Sequence, residues 1–342
     1  MKNFSFLFLL FFVFNTTAQV DNLLNDDKVI WVGESSNDYL FDIQNNNVIE
    51  LKDLDGPLIS FEILKLQEIK GKYWSDGYYH FAKILLDAIY NNEINIYSDS
   101  TCTLLANKSV LYITDTICSQ FDTTFYPKPK VINYELHPEE FKLFRVYQRL
   151  YYKPEKGIWE IRALSFAPLR LFNDSIEKPL FWIKCNFQKP PLDKNTAWKV
   201  RTHYHSIDFE KMKVIKNKVS EPPLSNFLKV CIDNQGIIIY NAQQSWKSPE
   251  VENKKDLKDR LFSTDTINEI NPINYETKTK LITRKVDLNK LKKLTLNQEW
   301  SWDEKQKNLS VRLIGVALSL PEYDIQGNLF YYKSLFYRLF DE

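Results

Sequence analysis

Two histidines stand two residues apart in Arg201-Thr202-His203-Tyr204-His205. On a strand this spacing places both imidazoles on one face, as a metal site requires. No cysteine, histidine or carboxylate nearby supplies a third ligand at a characteristic spacing, so a surface strand is the stronger reading of the pair. His80 and His137 complete the histidine set. Neither carries the surroundings of a Ser/His/Asp or Cys/His device.

The other reactive residue types read the same way. Cys102 and Cys118 lie sixteen apart in a loop region and can close a local disulfide in an oxidising compartment. Cys231 falls on the buried stripe of a helix, where a small core residue is expected. Paired acids occur at Asp26-Asp27, Glu139-Glu140 and Asp341-Glu342, and a glycan hydrolase needs two carboxylates converging across a cleft. Glu139-Glu140 follows His137-Pro138, where the first turn of a helix favours acids for its own sake. The tryptophans at 31, 74, 159, 182, 198, 246, 300 and 302 offer a stacking platform for carbohydrate, but most sit at core spacing on strand patterns. Eight glycines scattered singly exclude the phosphate-cradling loops of nucleotide enzymes. No metal, cofactor or catalytic residue is expected.

These residues belong to a chain of 342, long enough for about two domains. Hydrophobic residues make up 44% and charged ones 26%, which excludes a disordered chain. The first eighteen residues, 1–18, run from Lys2 through the apolar Phe4–Phe14 to Thr16-Thr17-Ala18, the order of a secretory signal cleaved after Ala18. The apolar run is too short for a membrane-spanning helix, and no cysteine follows it to carry a lipid. Loss of Lys2 brings the formal net charge from +1 to zero, which argues against nucleic-acid binding. A soluble exported protein is expected, reaching a membrane only through partners.

The chain repeats itself. FAKILLDAIYNNEINIY (81–97) aligns without gaps on LSNFLKVCIDNQGIIIY (224–240). Phe81, Ile84, Leu85, Ala88 and Ile89 share the i, i+3, i+4, i+7, i+8 stripe of Leu224, Phe227, Leu228, Cys231 and Ile232, so each copy is a helix buried on one side. Short β-branched strands ending at Tyr97 and Tyr240 are expected to follow. Residues 151–162 match 301–312 as hairpins, with Trp159, Ile161 and Ala163 or Leu309, Val311 and Leu313 alternating on one face. Leu180-Phe181-Trp182-Ile183 and Leu329-Phe330-Tyr331-Tyr332 read as the next strands, Cys185 corresponding to Ser334. Val29-Ile30-Trp31 resembles Ala197-Trp198 as an opening strand, and residues 137–148 resemble 287–298 as a helix before the hairpin. Two homologous modules follow, 27–188 and 195–338, each ordered strand, helix, strand, helix, hairpin, strand. The expected fold class is α+β, each module a mainly antiparallel sheet with two packed helices. Lys189-Pro190-Pro191-Leu192-Asp193 is the natural seam, and residues 250–260 read as a solvated insertion.

At the helix–strand unit and the hairpin the chain resembles the GldN/PorN family, the periplasmic ring subunit of the type IX secretion and gliding-motility machinery of Bacteroidetes. Its pattern is a Trp-containing opening strand, a helix leading to a strand that closes on Tyr, an aromatic-Asp-Lys hairpin running into Arg-Leu-Leu-Gly-Ile-Cys-Pro, and a Leu-Phe-Trp strand. The first module carries Trp31, Tyr97, Gly157, Arg162-Ala163-Leu164, Pro168 and Leu180-Phe181-Trp182. The second carries Trp198, Tyr240, Trp302-Asp303, Arg312-Leu313-Ile314-Gly315-Val316 and Phe330. The resemblance implies a non-enzymatic structural or interaction protein of the periplasm. It implies docking to an outer-membrane lipoprotein of the GldK/PorK type and other ring subunits, with self-association, in support of protein secretion and gliding. Arg162 and Arg312 are expected to face outward at such interfaces. An exported glycan hydrolase or a carbohydrate- or peptide-binding protein is the alternative.

Overall fold

The computed structural model describes residues 21–43, 58–61, 81–117, 130–138, 143–172, 175–186, 197–201, 205–244, 246, 248–270, 277–303, 305–323, 326 and 328–340. The expected signal, the 189–193 seam, His80, His203, Cys118, Trp74, Glu139-Glu140 and Asp341-Glu342 lie outside them. In chain order the strands are β1 (Trp31–Ile43), β2 (Leu58–Phe61), β3 (Tyr112–Ile117), β4 (Lys130–Glu135), β5 (Leu143–Lys153), β6 (Ile158–Phe172), β7 (Ser175–Pro179), β8 (Ile183–Lys184), β9 (Ala197–Arg201), β10 (His205–Asp208), β11 (Lys213–Asn217), β12 (Tyr240–Asn241), β13 (Phe262–Ile270), β14 (Thr277–Lys285), β15 (Lys293–Asp303), β16 (Asn308–Tyr323) and β17 (Leu329–Leu339). The helices are α1 (Asn22–Asn25), α2 (Phe81–Tyr90), α3 (Pro223–Asp233) and α4 (Lys254–Leu261).

Two antiparallel sheets form around the two hairpins. The first runs β11-β1-β5-β6-β7, with β2 added in parallel to β1 and β8 antiparallel to β6; the second runs β10-β15-β16-β17-β12, with β9 added to β15. The chain after β10 leaves the second sheet and supplies β11 to the outer edge of β1, so the first sheet borrows a strand from beyond the expected seam. One apolar core joins the two, taking Trp159 and Phe144 from the first sheet, Trp302 and Phe336 from the second, and the buried stripes of α2 and α3. Those stripes are the ones the sequence spacing predicts: Phe81, Ile84, Leu85, Ala88 and Ile89, and Leu224, Phe227, Leu228, Cys231 and Ile232. The first helix stops where Asn92 turns left-handed, φ 60°, a conformation asparagine tolerates better than most residues. The second ends on Asn234.

The hairpins agree in detail. Each turn closes on a left-handed residue, Gly157 (φ 54°) in the first and Lys307 (φ 50°) in the second. Each ladder shifts register before a buried glutamine, between Tyr147 and Gln148 and between Asn297 and Gln298. A bulge of this kind adds a local twist that bends the sheet over its core. The opening strands also match: Trp31 lies opposite Tyr152, and Trp198 opposite Trp302.

Three expectations fail. Residues 143–148 and 293–298 are strand, because Phe144, Val146 and Gln148, like Leu294, Leu296 and Gln298, alternate inward along a two-residue period rather than a helical one. The strands after α2 and α3 shrink to isolated bridges from Tyr97 to Leu105 and Trp182 and to the two residues of β12. Residues 250–260 are largely solvated, as expected, with Glu252 and Leu257 the two buried members; Asn253 caps α4, which is anchored by Leu257 and Leu261. Finally, the strand matching Leu180-Phe181-Trp182 is displaced by six residues. Phe166 pairs with Ile183 and the amide of Cys185 bonds to the carbonyl of Leu164; in the second sheet Val316 pairs with Arg338 and the amide of Phe340 bonds to the carbonyl of Ile314. The ladder therefore sets Leu335-Phe336-Tyr337, not Leu329-Phe330-Tyr331, in the place of Leu180-Phe181-Trp182, and Phe340, not Ser334, in the place of Cys185.

Candidate functional site

The shared motif supplies the candidate positions, and three of them, Trp31, Gly157 and Trp302, reach across to the other half. Trp31 lies edge-on to Trp159 at 5.8 Å and stacks on Phe209 at 5.0 Å, a residue just beyond β10. Trp302 meets Phe81 of α2 edge-on at 5.0 Å, while Phe81 also packs on Phe144 of the first sheet. The reciprocal contact comes from α3. Its Phe227 packs on Tyr152 and Trp159 of the first hairpin and on Phe336 of the second sheet. Each long helix therefore sits on the hairpin of the other half.

Polar contacts repeat that exchange. The Arg338 guanidinium donates to the Gly157 carbonyl at 2.8 Å, and Tyr152 donates to Asn226 of α3 at 2.9 Å. On the opposite side Lys307 pairs with Glu93 at 3.2 Å, and the amide of Asn186 donates to Asn308 at 2.7 Å. Asp303 caps its own turn by accepting from the amides of Lys305 and Gln306. Glycine is favoured at two motif positions, by the left-handed turn at Gly157 and by the backbone approach at Gly315. A Cβ on Gly157 would stand 2.6 Å from the Arg338 guanidinium, and one on Gly315 would stand 2.4 Å from the Arg338 carbonyl.

Tyr97 and Tyr240 mark matched closures. Tyr97 exchanges both backbone hydrogen bonds with Trp182, at 2.8 and 2.7 Å, and Tyr240 pairs with Tyr337 and stacks on it. Phe181 and Trp182 are buried, Trp182 against Cys102 and Ala167. Pro168 stands opposite Phe144 in the ladder, and its carbonyl accepts from Leu180. Phe330 alone among the motif residues with described side chains is strongly exposed.

The arginines do not face a partner unencumbered. Arg162 reaches Asp21 at 3.3 Å and lies over the Tyr151 ring, and Arg312 pairs with Glu299 at 3.1 Å. Arg162 is the rim of a larger charged network that the sequence did not disclose. Arg149 bridges Asp21 at 2.6 Å and Glu34 at 2.9 Å, and the hydroxyls of Tyr147 and Tyr151 donate to Glu34 and Asp21. Burial, and then these carboxylates, push both phenols well above their ordinary range. Asp21 also caps α1.

No described group offers a catalytic centre. His205, expected on a surface strand, is instead largely enclosed against the Tyr39 ring at 5.3 Å with no hydrogen-bond partner on Nε2, and burial lowers its pKa to about 4. Burial pushes the thiols of Cys102 and Cys231 up to about 12 and that of Cys185 well above its usual value, so none is a thiolate at neutral pH. Buried acids are engaged structurally: Glu34 by Arg149, Glu299 by Arg312, Glu252 by Arg260. Among the described residues no cluster of three or more metal-ligating side chains forms, and no helix is long and apolar enough to cross a membrane. Pro154 and Glu155 face Lys229, Val230, Asp233 and Asn234 across an open depression of about 600 Å³.

In comparison with known families, residues 61–212 match the family model described as "Gliding motility associated protein GldN". The matched stretch contains α2, the first hairpin and β7 to β10, and runs through the proline seam to Met212. Searches of curated proteins and of solved structures return no match.

Proposed function

We propose, from the premise that residues 61–212 assign this chain to the GldN family of gliding-motility and type IX secretion components, that the protein is a non-enzymatic structural subunit of that machinery in the periplasm. It docks to an outer-membrane lipoprotein of the GldK/PorK type, and it reaches the membrane through that partner. The family match carries this reading, and the geometry supports it. The chain is built of two homologous modules in this proposal, 27–188 and 195–338, whose helices and hairpins interlock as two subunits of an isologous dimer do. That interlocking accounts for the burial of Trp31, Gly157 and Trp302, which meet the other half inside one chain rather than a stranger.

The alternative readings draw less support. Trp31, Trp159, Trp182, Trp300 and Trp302 are buried and offer carbohydrate no stacking face. A glycan hydrolase needs an acid kept apart from cations so that its pKa can rise, whereas Glu34 and Glu299 lie against arginines.

The experiment is recovery of the C-terminally tagged protein from envelopes of its native host after mild cross-linking, with mass spectrometry of what comes with it. The ring lipoprotein and its companion subunits are the expected partners. A soluble pool that carries none of them would refute the docking.

A further inference from the structure

We propose that the outer edge of β17, residues 329–335, pairs antiparallel with the same edge of a second copy of the chain. This goes beyond assignment to a secretion machine and holds or fails independently of the lipoprotein.

Three observations carry it. First, β17 is paired along its inner side from Leu329 to Leu339 by β16, but on its outer side the described strands give it only β12, opposite Phe336 and Tyr337. The backbone groups of residues 329–335 on that side are an open ladder, which template pairing by another strand readily fills. Second, this stretch is apolar and uncovered: Leu329 is 49%, Phe330 75% and Tyr331 48% exposed. Contiguous apolar exposure of this kind marks an interaction surface.

Third, the charges around it are complementary to themselves. Tyr331 lies opposite Glu322 of β16, and Lys333, two residues along β17, shares the face of Tyr331. Among the described residues neither Glu322 nor Lys333 has an ion-pair partner. In a two-fold antiparallel pairing centred on Tyr332, Tyr331 of one copy stands opposite Lys333 of the other. Each side then forms a row of Glu322, Tyr331 and the second copy's Lys333. The tyrosine ring lies between a carboxylate and an ammonium, and cross-strand pairs of opposite charge or cation and ring are favourable. Leu329 meets Leu335, and Phe330 meets Ser334. The symmetry of the row makes a second copy the occupant: a foreign strand has no reason to offer a lysine and an acid at the required separation.

The test is sedimentation equilibrium of the full chain with three variants, Lys333→Glu, Glu322→Lys and the two together. The chain is expected to dimerise in a concentration-dependent way at about 10 μM, where a micromolar contact is populated. Each single variant sets like charges in both rows and is expected to weaken dimerisation about tenfold, and the double variant to restore it. Both residues lie at the distal end of the hairpin, so unchanged thermal melting serves as the control for folding. A wild-type chain that stays monomeric overturns the proposal and leaves the edge to a different subunit, as does a dimer indifferent to both single reversals.

Discussion

His205 makes the chain acid-sensitive by an amount that can be worked out. Its imidazole packs on Tyr39, Nε2 finds no partner, and burial lowers the pKa to about 4 against 6.5 for the free side chain. A group that holds its proton less tightly when folded binds more protons in the unfolded chain. Stability is therefore complete above the unfolded pKa and falls as the pH drops from 6.5 toward 4. Between pH 7.5 and pH 5 the linkage amounts to about 2 kcal/mol, nearly all of it from the span below the unfolded pKa of 6.5, where an uncompensated proton contributes about 1.36 kcal/mol per pH unit. Replacement by phenylalanine, His205→Phe, removes this contribution and keeps an aromatic against Tyr39. Urea unfolding of both proteins at pH 7.5, 6 and 5 reads the difference directly: the wild type should lose about 2 kcal/mol more than the variant over that range. Parallel pH profiles would refute the reasoning, since they would mean that the imidazole reaches water.

Other positions carry sharp expectations. Arg149→Met leaves Glu34 and Asp21 with their charges largely buried and should cost about 3 kcal/mol in chemical denaturation; Arg162→Ala, at the rim, should cost under about 1 kcal/mol and leave the fold intact. Gly315→Ala drives a methyl into the Arg338 carbonyl and should lower stability by about 2 kcal/mol, whereas a variant that melts with the wild type would show that the two strands can part there. Phe81→Ala opens a cavity between both sheets and should cost about 3 to 5 kcal/mol in a single cooperative transition. Two separate transitions in that variant would mean that the halves fold independently.

The parts of this fold that the sequence reveals are those fixed by local periodicity. Helices α2 and α3 announce themselves through five apolar positions at helical spacing, and β6 and β16 through alternation after a polar turn. The errors arise where two patterns coexist. Residues 143–148 carry apolar side chains that satisfy a helical stripe as well as a strand, and only pairing with β1 on one side and β6 on the other decides for the strand. Leu329-Phe330-Tyr331 and Leu335-Phe336-Tyr337 are nearly the same word, and the ladder with β16 chooses between them. The charged network was illegible for a different reason. Asp21 lies just past the expected cleavage point and meets Arg149 only because β1 lays the start of the chain beside β5, a contact across 128 residues. For Arg162 and Arg312 the sequence shows the charge but not the acid that answers it, Asp21 and Glu299.

The exchange of helices and hairpins between the two halves shapes how this chain can change over generations. A residue such as Gly157 closes a turn in its own half and receives Arg338 from the other; Trp302 completes one hairpin and covers the helix of the opposite half. A substitution at either end of such a contact is answered most directly by its partner, 181 residues away in the case of Gly157 and Arg338. The two halves cannot drift independently. Each is held to the other by shared neighbours, so compensating changes should appear between the halves, at 81 with 302, 152 with 226 and 157 with 338, more often than within them.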